Sequence, residues 1–92
     1  MAEWELDRDN EVPLLAARVL IGAGRHEEAL GWLDAAQLLK YRSKPMDVFY
    51  YRGVAYEGLG DPVEARNQYL AALRFDGNHA PALDAIERLE SE

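Results

Sequence analysis

Apolar residues recur at three-and-four spacing in five stretches of the chain, each bounded by turn or cap residues. Residues 11–22 carry Leu14, Leu15, Val19 and Ile21 and run into Gly22 and Gly24. Residues 26–39 carry Ala29, Leu30, Leu33, Ala36 and Leu39. Residues 45–58 place Val48, Phe49, Ala55 and Tyr56 around Gly53, with Leu59 beyond, and end near Gly58 and Gly60. Residues 62–75 follow Asp61-Pro62-Val63-Glu64: Asp61 can cap the first turn, Pro62 suits the first helical position, and Glu64 can close a reciprocal cap. Residues 79–90 follow Asn78, a good N-cap, with Pro81 in the first turn and a stripe of Ala82, Leu83, Ile86 and Leu89. Alternating β-branched runs are absent, and Asp76-Gly77 links two helical stretches rather than two strands. The pattern predicts five short helices in antiparallel hairpins, an uncommitted tail over residues 1–9 and a loop over residues 40–44.

The chain also repeats itself. A shift of 36 residues lays Gly22, Gly24, Glu28, Ala29, Ala35 and Ala36 on Gly58, Gly60, Glu64, Ala65, Ala71 and Ala72. The shared residues are one Glu and five small side chains. Small residues at fixed spacing predict helices in close approach, and a hairpin that cannot bury its apolar face alone has to stack on a neighbour.

Composition narrows the classes. The chain has 92 residues and no Cys, so it reads as one small domain without disulfides or thiolate metal sites. The apolar share, 49%, is that of a globular chain. No apolar run reaches the ~20 residues of a membrane span, and the acidic MAEWELDRDN start has no signal-like apolar stretch. The expectation is a cytoplasmic protein without membrane contact.

The net charge of −7 is unevenly spread. Residues 1–11 hold Glu3, Glu5, Asp7, Asp9 and Glu11 against Arg8; residues 76–92 hold Asp76, Asp84, Glu87, Glu90 and Glu92 against Arg88. Between them, Lys40, Arg42, Lys44 and Arg52 face Asp47 alone, which leaves a basic waist. Overall acidity argues against nucleic acid as a partner, because binding to phosphates draws on released counterions and a positive face. The waist is read as a solvated loop, with an acidic partner or a neighbour's acidic tail as the alternative.

The second hairpin resembles a tetratricopeptide repeat. That family's pattern is W-x₂-L-G-x₂-Y, then A-x₃-F, in a 34-residue helix-turn-helix. Here Phe49 stands for the Trp, Gly53, Tyr56 and Ala65 match, and Tyr69 stands for the Phe. Arg52 departs from the Leu and Gly77 from the terminal Pro. The first hairpin is more divergent, with Ala17, Leu20, Gly24, Ala29, Leu33 and Ala36 at matching positions, and two residues are inserted near 40–45. The implied fold is all-α, a short right-handed solenoid of antiparallel hairpins: an acidic arm over 1–9, then a single domain over 10–92. Within that domain, repeat one covers 10–43, repeat two 46–79 and a C-terminal capping helix 79–90. In packing terms, Gly53 lets the partner helix approach, Ala65 and Ala72 supply the matching seam, and Tyr56 and Tyr69 fill the gaps beside it.

The resemblance also implies a concave surface lined by the first helix of each pair. Rotation from the buried Gly53 puts Asp47, Tyr50, Val54 and Glu57 on that face, with Tyr51 further round. The first helix contributes Glu11, Leu14, Arg18 and Ile21, and the last contributes Pro81, Asp84 and Arg88. Tyr and Arg combine contact area with a polar handle, which suits a binding surface; the alternative is that Leu14 and Tyr51 complete the core. In the carboxylate-clamp members of the family, the clamp positions fall on Leu14, Arg18, Tyr51, Pro81 and Ala85; Arg18 alone could hold a carboxylate, so that chaperone-binding role does not carry over.

Other chemistry is sparse. His26 and His79 open helices and read as solvated; His26-Glu27-Glu28 lacks the second His of a zinc helix. Ser43 and Ser91 are the only Ser, there is no Thr, and neither Ser lies in a nucleophile elbow. Trp4 and Leu6 lie in the acidic arm, and Trp32 reads as a partly buried packing residue. The expected function is binding of a peptide or helix of another protein, as a scaffold without catalysis, metal or cofactor. Self-association into a homodimer through exposed repeat faces is the alternative.

Overall fold

The computed structural model describes residues 3–38 and 45–91, with side chains from Pro13 to Ala36 and from Pro45 to Ser91. Among them are five helices and no strand: α1 (Glu3–Gly22), α2 (His26–Leu38), α3 (Pro45–Gly58), α4 (Pro62–Phe75) and α5 (Ala80–Ser91). No helix is long and apolar enough to cross a membrane among the described residues. The basic positions Lys40, Arg42 and Lys44, and the side chains of Trp4, Leu6 and Glu11, lie outside the described residues.

α1 starts at Glu3, so residues 3–9 continue a helix instead of forming the expected tail. Residues 3–12 contain neither Gly nor Pro, and Glu, Leu and Arg extend a helix readily once packed turns have nucleated it. Apolar spacing, the basis of the expectation, does not register that propensity. Pro13 lies inside α1, where it lacks the N–H that would close one helical bond.

The 36-residue repeat is visible in the turns. At the end of α1, Arg25 N–H donates to Leu20 O (2.8 Å) and Gly24 N–H to Ile21 O (3.1 Å). At the end of α3, Asp61 N–H donates to Tyr56 O (2.9 Å) and Gly60 N–H to Glu57 O (3.0 Å). Both are Schellman closures, and their pivots Gly24 and Gly60 have φ of 80° and 82°, a region that a Cβ disfavours. The Asp61 side chain then accepts from Glu64 N–H at 3.1 Å, the expected cap of α4. The reciprocal half does not form. Asp61 N–H is spent on the turn, and the Glu64 carboxylate accepts from Gln68 Nε2 at 3.0 Å instead.

Each hairpin closes on a matched pair. In the first, Ala17 and Leu33 are both fully buried; in the second, Gly53 faces the fully buried Tyr69. A Cβ on Gly53 would lie within 2.7 Å of Tyr69 Cδ1 and 2.8 Å of Cζ. Real carbon atoms do not approach so closely, so the larger Tyr69 requires the smaller residue opposite. Ala29, Ala36 and Val48 complete the first cluster, while Ala65, Ala72, Ala82 and Ala85 surround Tyr69 in the second. Val48 belongs to α3 yet packs in the first cluster, so α3 stacks on the first hairpin.

Two further contacts join the hairpins. Arg52, where the family pattern has Leu, pairs with Asp34 of α2. A Cβ on Gly58 would collide with the His26 ring, so the imidazole at the start of α2 lies against the end of α3. His26 is half-buried, not solvated as expected from its turn position. α5 closes the far side, held by Ala82 and Ala85 and by an Arg66–Glu90 ion pair at 3.1 Å.

Candidate functional site

The surface shared by α1, α3 and α5 divides into an aromatic half and a charged half. At the α1–α3 junction, the Arg18 guanidinium stands 5.5 Å above the Tyr51 ring centre, a cation–π arrangement. Tyr51 meets Tyr50 edge-on at 5.0 Å, and Tyr50 in turn lies 5.7 Å from Tyr69 and 5.5 Å from the His79 ring. Leu14, Ile21 and Tyr51 are partly buried against the first core cluster, and Val54 against the second. Their outer edges alone remain for a partner.

At the α3–α5 junction, Tyr50, Pro81, Asp84, Ala85 and Arg88 line an open cleft. Arg88 donates two bonds to the Glu57 carboxylate, 2.6 Å to Oε2 and 2.8 Å to Oε1. Such a fork fixes both planes and is stronger than a neutral hydrogen bond. The Tyr69 hydroxyl donates to the same carboxylate at 2.5 Å. Through Glu57, the residue that packs against Gly53 is thus tied to the capping helix.

The electrostatics follow from this arrangement. The Arg88 bonds hold the Glu57 carboxyl below its ordinary value, against the opposing effect of burial. Burial, then the bond to Glu57, raise the Tyr69 phenol. The bond and charge of Glu57 raise Arg88 further above its already high value. Burial also raises the Tyr50 phenol, with Tyr51 adding to the effect and Arg88 opposing it. Glu57 and Arg88, expected to recognise a partner, neutralise each other across the stack. Among the remaining charged positions of this surface, Asp84 is exposed on the cleft and Arg18 is exposed over Tyr51.

Asp47 is engaged as well. His79 Nε2 lies 3.1 Å from Asp47 Oδ1, while His79 Nδ1 accepts from Ala82 N–H at 3.3 Å. A ring whose Nδ1 accepts carries its proton on Nε2, so it can donate to Asp47. His79 is therefore the cap of α5 and a link to α3, with a side chain 10% exposed. This corrects two expectations. Asn78 is not the cap, because its N–H donates to the Asp76 side chain at 3.1 Å in a turn before the helix. Nor is His79 solvated, since its partner is distant in sequence.

Of the sequence-selected residues, Asp47, Tyr50, Val54, Glu57, Asp84 and Arg88 converge around α3 and α5. Leu14, Arg18, Ile21 and Tyr51 sit around α1 and α3. Sequence reasoning missed His79 and the Arg52–Asp34 pair. The second had a signal: a cation at an apolar family position that faces the preceding hairpin requires a carboxylate there.

Residues 46–79 match the family described as Tetratricopeptide repeat. This segment is similar to a tetratricopeptide repeat. The match covers α3, α4 and the turn up to His79, the part in which Gly53, Tyr56, Ala65 and Tyr69 follow the pattern. No curated protein and no solved structure matches the chain. Tetratricopeptide repeats generally mediate interactions between proteins, and the α3–α4 hairpin is the part of the chain that matches them.

Proposed function

We propose that the α1–α3–α5 surface binds a peptide or helical segment of another protein. The observation that carries this reading is the open cleft of Tyr50, Pro81, Asp84, Ala85 and Arg88, continued by the Arg18–Tyr51 pair. The cleft offers apolar contact through Tyr50, Pro81 and Ala85 and a carboxylate at Asp84. Arg18 adds a cation at the other end. A segment with an apolar centre, a basic end over Asp84 and an acidic end over Arg18 fits that polarity. The rigid fork of Glu57 and Arg88 keeps the cleft wall in place, which limits the entropy lost on binding. The proposed role is binding, with no catalytic residue assigned.

Affinity capture with the intact chain as bait tests the reading. A partner held by the wild type and lost on Arg18→Glu combined with Tyr50→Ala supports it, provided helicity is kept. A partner held equally by both chains places binding on another surface and overturns it.

A further inference from the structure

The charges on the wall of the α3–α5 cleft do not balance. Arg88 is committed to Glu57 through two guanidinium nitrogens, at 2.6 and 2.8 Å, so its charge is met on the spot. Asp84, one turn before Arg88 on the same helix, is exposed and has neither hydrogen bond nor ion pair among the described residues. Positions four apart on a helix are neighbours, so Arg88 is the natural partner of Asp84. The fork to Glu57 draws Arg88 across to α3 instead. Beyond burial, the Tyr50 phenol is raised by Tyr51, lowered by Arg88, and raised by Glu57 and Asp84, so all three charges stand around one ring. Two carboxylates against one guanidinium leave one uncompensated negative charge, and it lies on Asp84. Asp47 adds a further carboxylate on the α3 side, hydrogen-bonded to His79 at 3.1 Å. Arg18 stands over Tyr51 at the α1 junction and does not line the cleft.

We propose that the cleft reads a basic side chain, Arg or Lys, of the bound segment, and that Glu57 sets this choice by holding Arg88 away from Asp84. The inference rests on the binding role proposed for the α1–α3–α5 surface and gives its α3–α5 end a ligand class. The aliphatic stem of the basic side chain lies on Pro81 and Ala85, and its head reaches the Asp84 carboxylate beside the Tyr50 ring. An aromatic neighbour favours a cation there as well. An acidic side chain would meet Asp84 as a like charge and give up water without gaining a partner, because Arg88 is already engaged. Arg88 therefore forms part of the wall, and Glu57 is a positioning residue that acts on specificity through Arg88.

The experiment titrates the intact, isotope-labelled chain at low salt with three blocked tripeptides: Ala-Arg-Ala, its uncharged isostere Ala-citrulline-Ala, and Ala-Glu-Ala. The expected shifts centre on Tyr50, Asp84 and Ala85. Arginine should bind about three- to fivefold more tightly than citrulline, the scale of an exposed charge pair, with glutamate weakest. Asp84→Asn, at an exposed position, removes that preference. Glu57→Gln keeps an acceptor for the Tyr69 hydroxyl and frees Arg88 to pair with Asp84, so it removes the preference while helicity holds. The double variant prefers glutamate. A purely structural Glu57 would instead weaken all three probes alike. Arginine ranked no higher than citrulline, shifts centred away from the cleft, or an arginine preference that survives Asp84→Asn each overturns the proposal. A preference unchanged in folded Glu57→Gln overturns the role given to Glu57. These outcomes are distinct from those of the affinity capture: a partner lost on Arg18→Glu with Tyr50→Ala stands whatever the probe ranking, and the ranking stands wherever capture places the partner.

Discussion

The ring of Tyr69 occupies the space that a side chain on Gly53 would need. Gly53→Ala should therefore destabilise the fold, although Ala is the better helix former by about 1 kcal/mol. Overpacking at a buried ring costs about 1–3 kcal/mol, so the net loss should be up to about 2 kcal/mol, a melting drop of up to roughly 8–16 °C. The first hairpin carries the alternative pair, Ala17 with Leu33. Copying it as Gly53→Ala with Tyr69→Leu should give a double variant more stable than the sum of the single losses predicts. Thermal unfolding of the four chains measures that coupling.

Glu57 should matter more than Arg88. Loss of Arg88 leaves Glu57 with the Tyr69 hydroxyl and some access to water, and should cost about 1 kcal/mol. Loss of Glu57 leaves the hydroxyl of buried Tyr69 without its acceptor and should cost about 2 kcal/mol. Chemical denaturation of Arg88→Ala and Glu57→Ala should show that order.

The same carboxylate gives the stability a pH dependence. Its folded pKa lies below the ordinary value of 4.5, so the unfolded chain takes up the proton first as pH falls. The stabilisation is complete above pH 4.5 and is lost as pH drops through the lower folded value. Glu57→Gln cannot titrate there. Between neutral pH and about pH 3, the stability gap between wild type and Glu57→Gln should narrow; a constant gap would show that the fork does not hold in solution.

The His79–Asp47 contact predicts a separable effect. His79→Asn retains a capping side chain for Ala82 N–H but is shorter than the imidazole and loses the bond to Asp47. His79→Ala loses both. Denaturation should rank wild type, His79→Asn and His79→Ala in falling order, with the last about 1–2 kcal/mol below wild type.

The helices were legible because local rules govern them. Apolar spacing, the caps at Asp61 and Pro62, and glycines at 24 and 60 each act within one or two turns. The 36-residue shift was legible for a related reason, since the Ala29/Ala65 and Ala36/Ala72 pairs mark a seam that recurs. Tertiary partners were not. His26 reaches Gly58, and His79 reaches Asp47 across 32 residues; no local pattern encodes such pairings. Face geometry correctly grouped Tyr50, Val54 and Glu57 on α3. It could not show that Glu57 and Arg88 satisfy each other, because rotation angles place side chains on a face without saying what they touch.

The most direct test of the α1–α3–α5 surface is a chemical-shift titration of the isotope-labelled chain with the segment of its captured partner that binds. The account predicts perturbations grouped at Arg18, Tyr50, Tyr51, Val54, Asp84 and Arg88, with the exposed α4 positions Arg66 and Leu70 unchanged. Perturbations confined to α2 and α4, with Tyr50 and Arg18 silent, would contradict it.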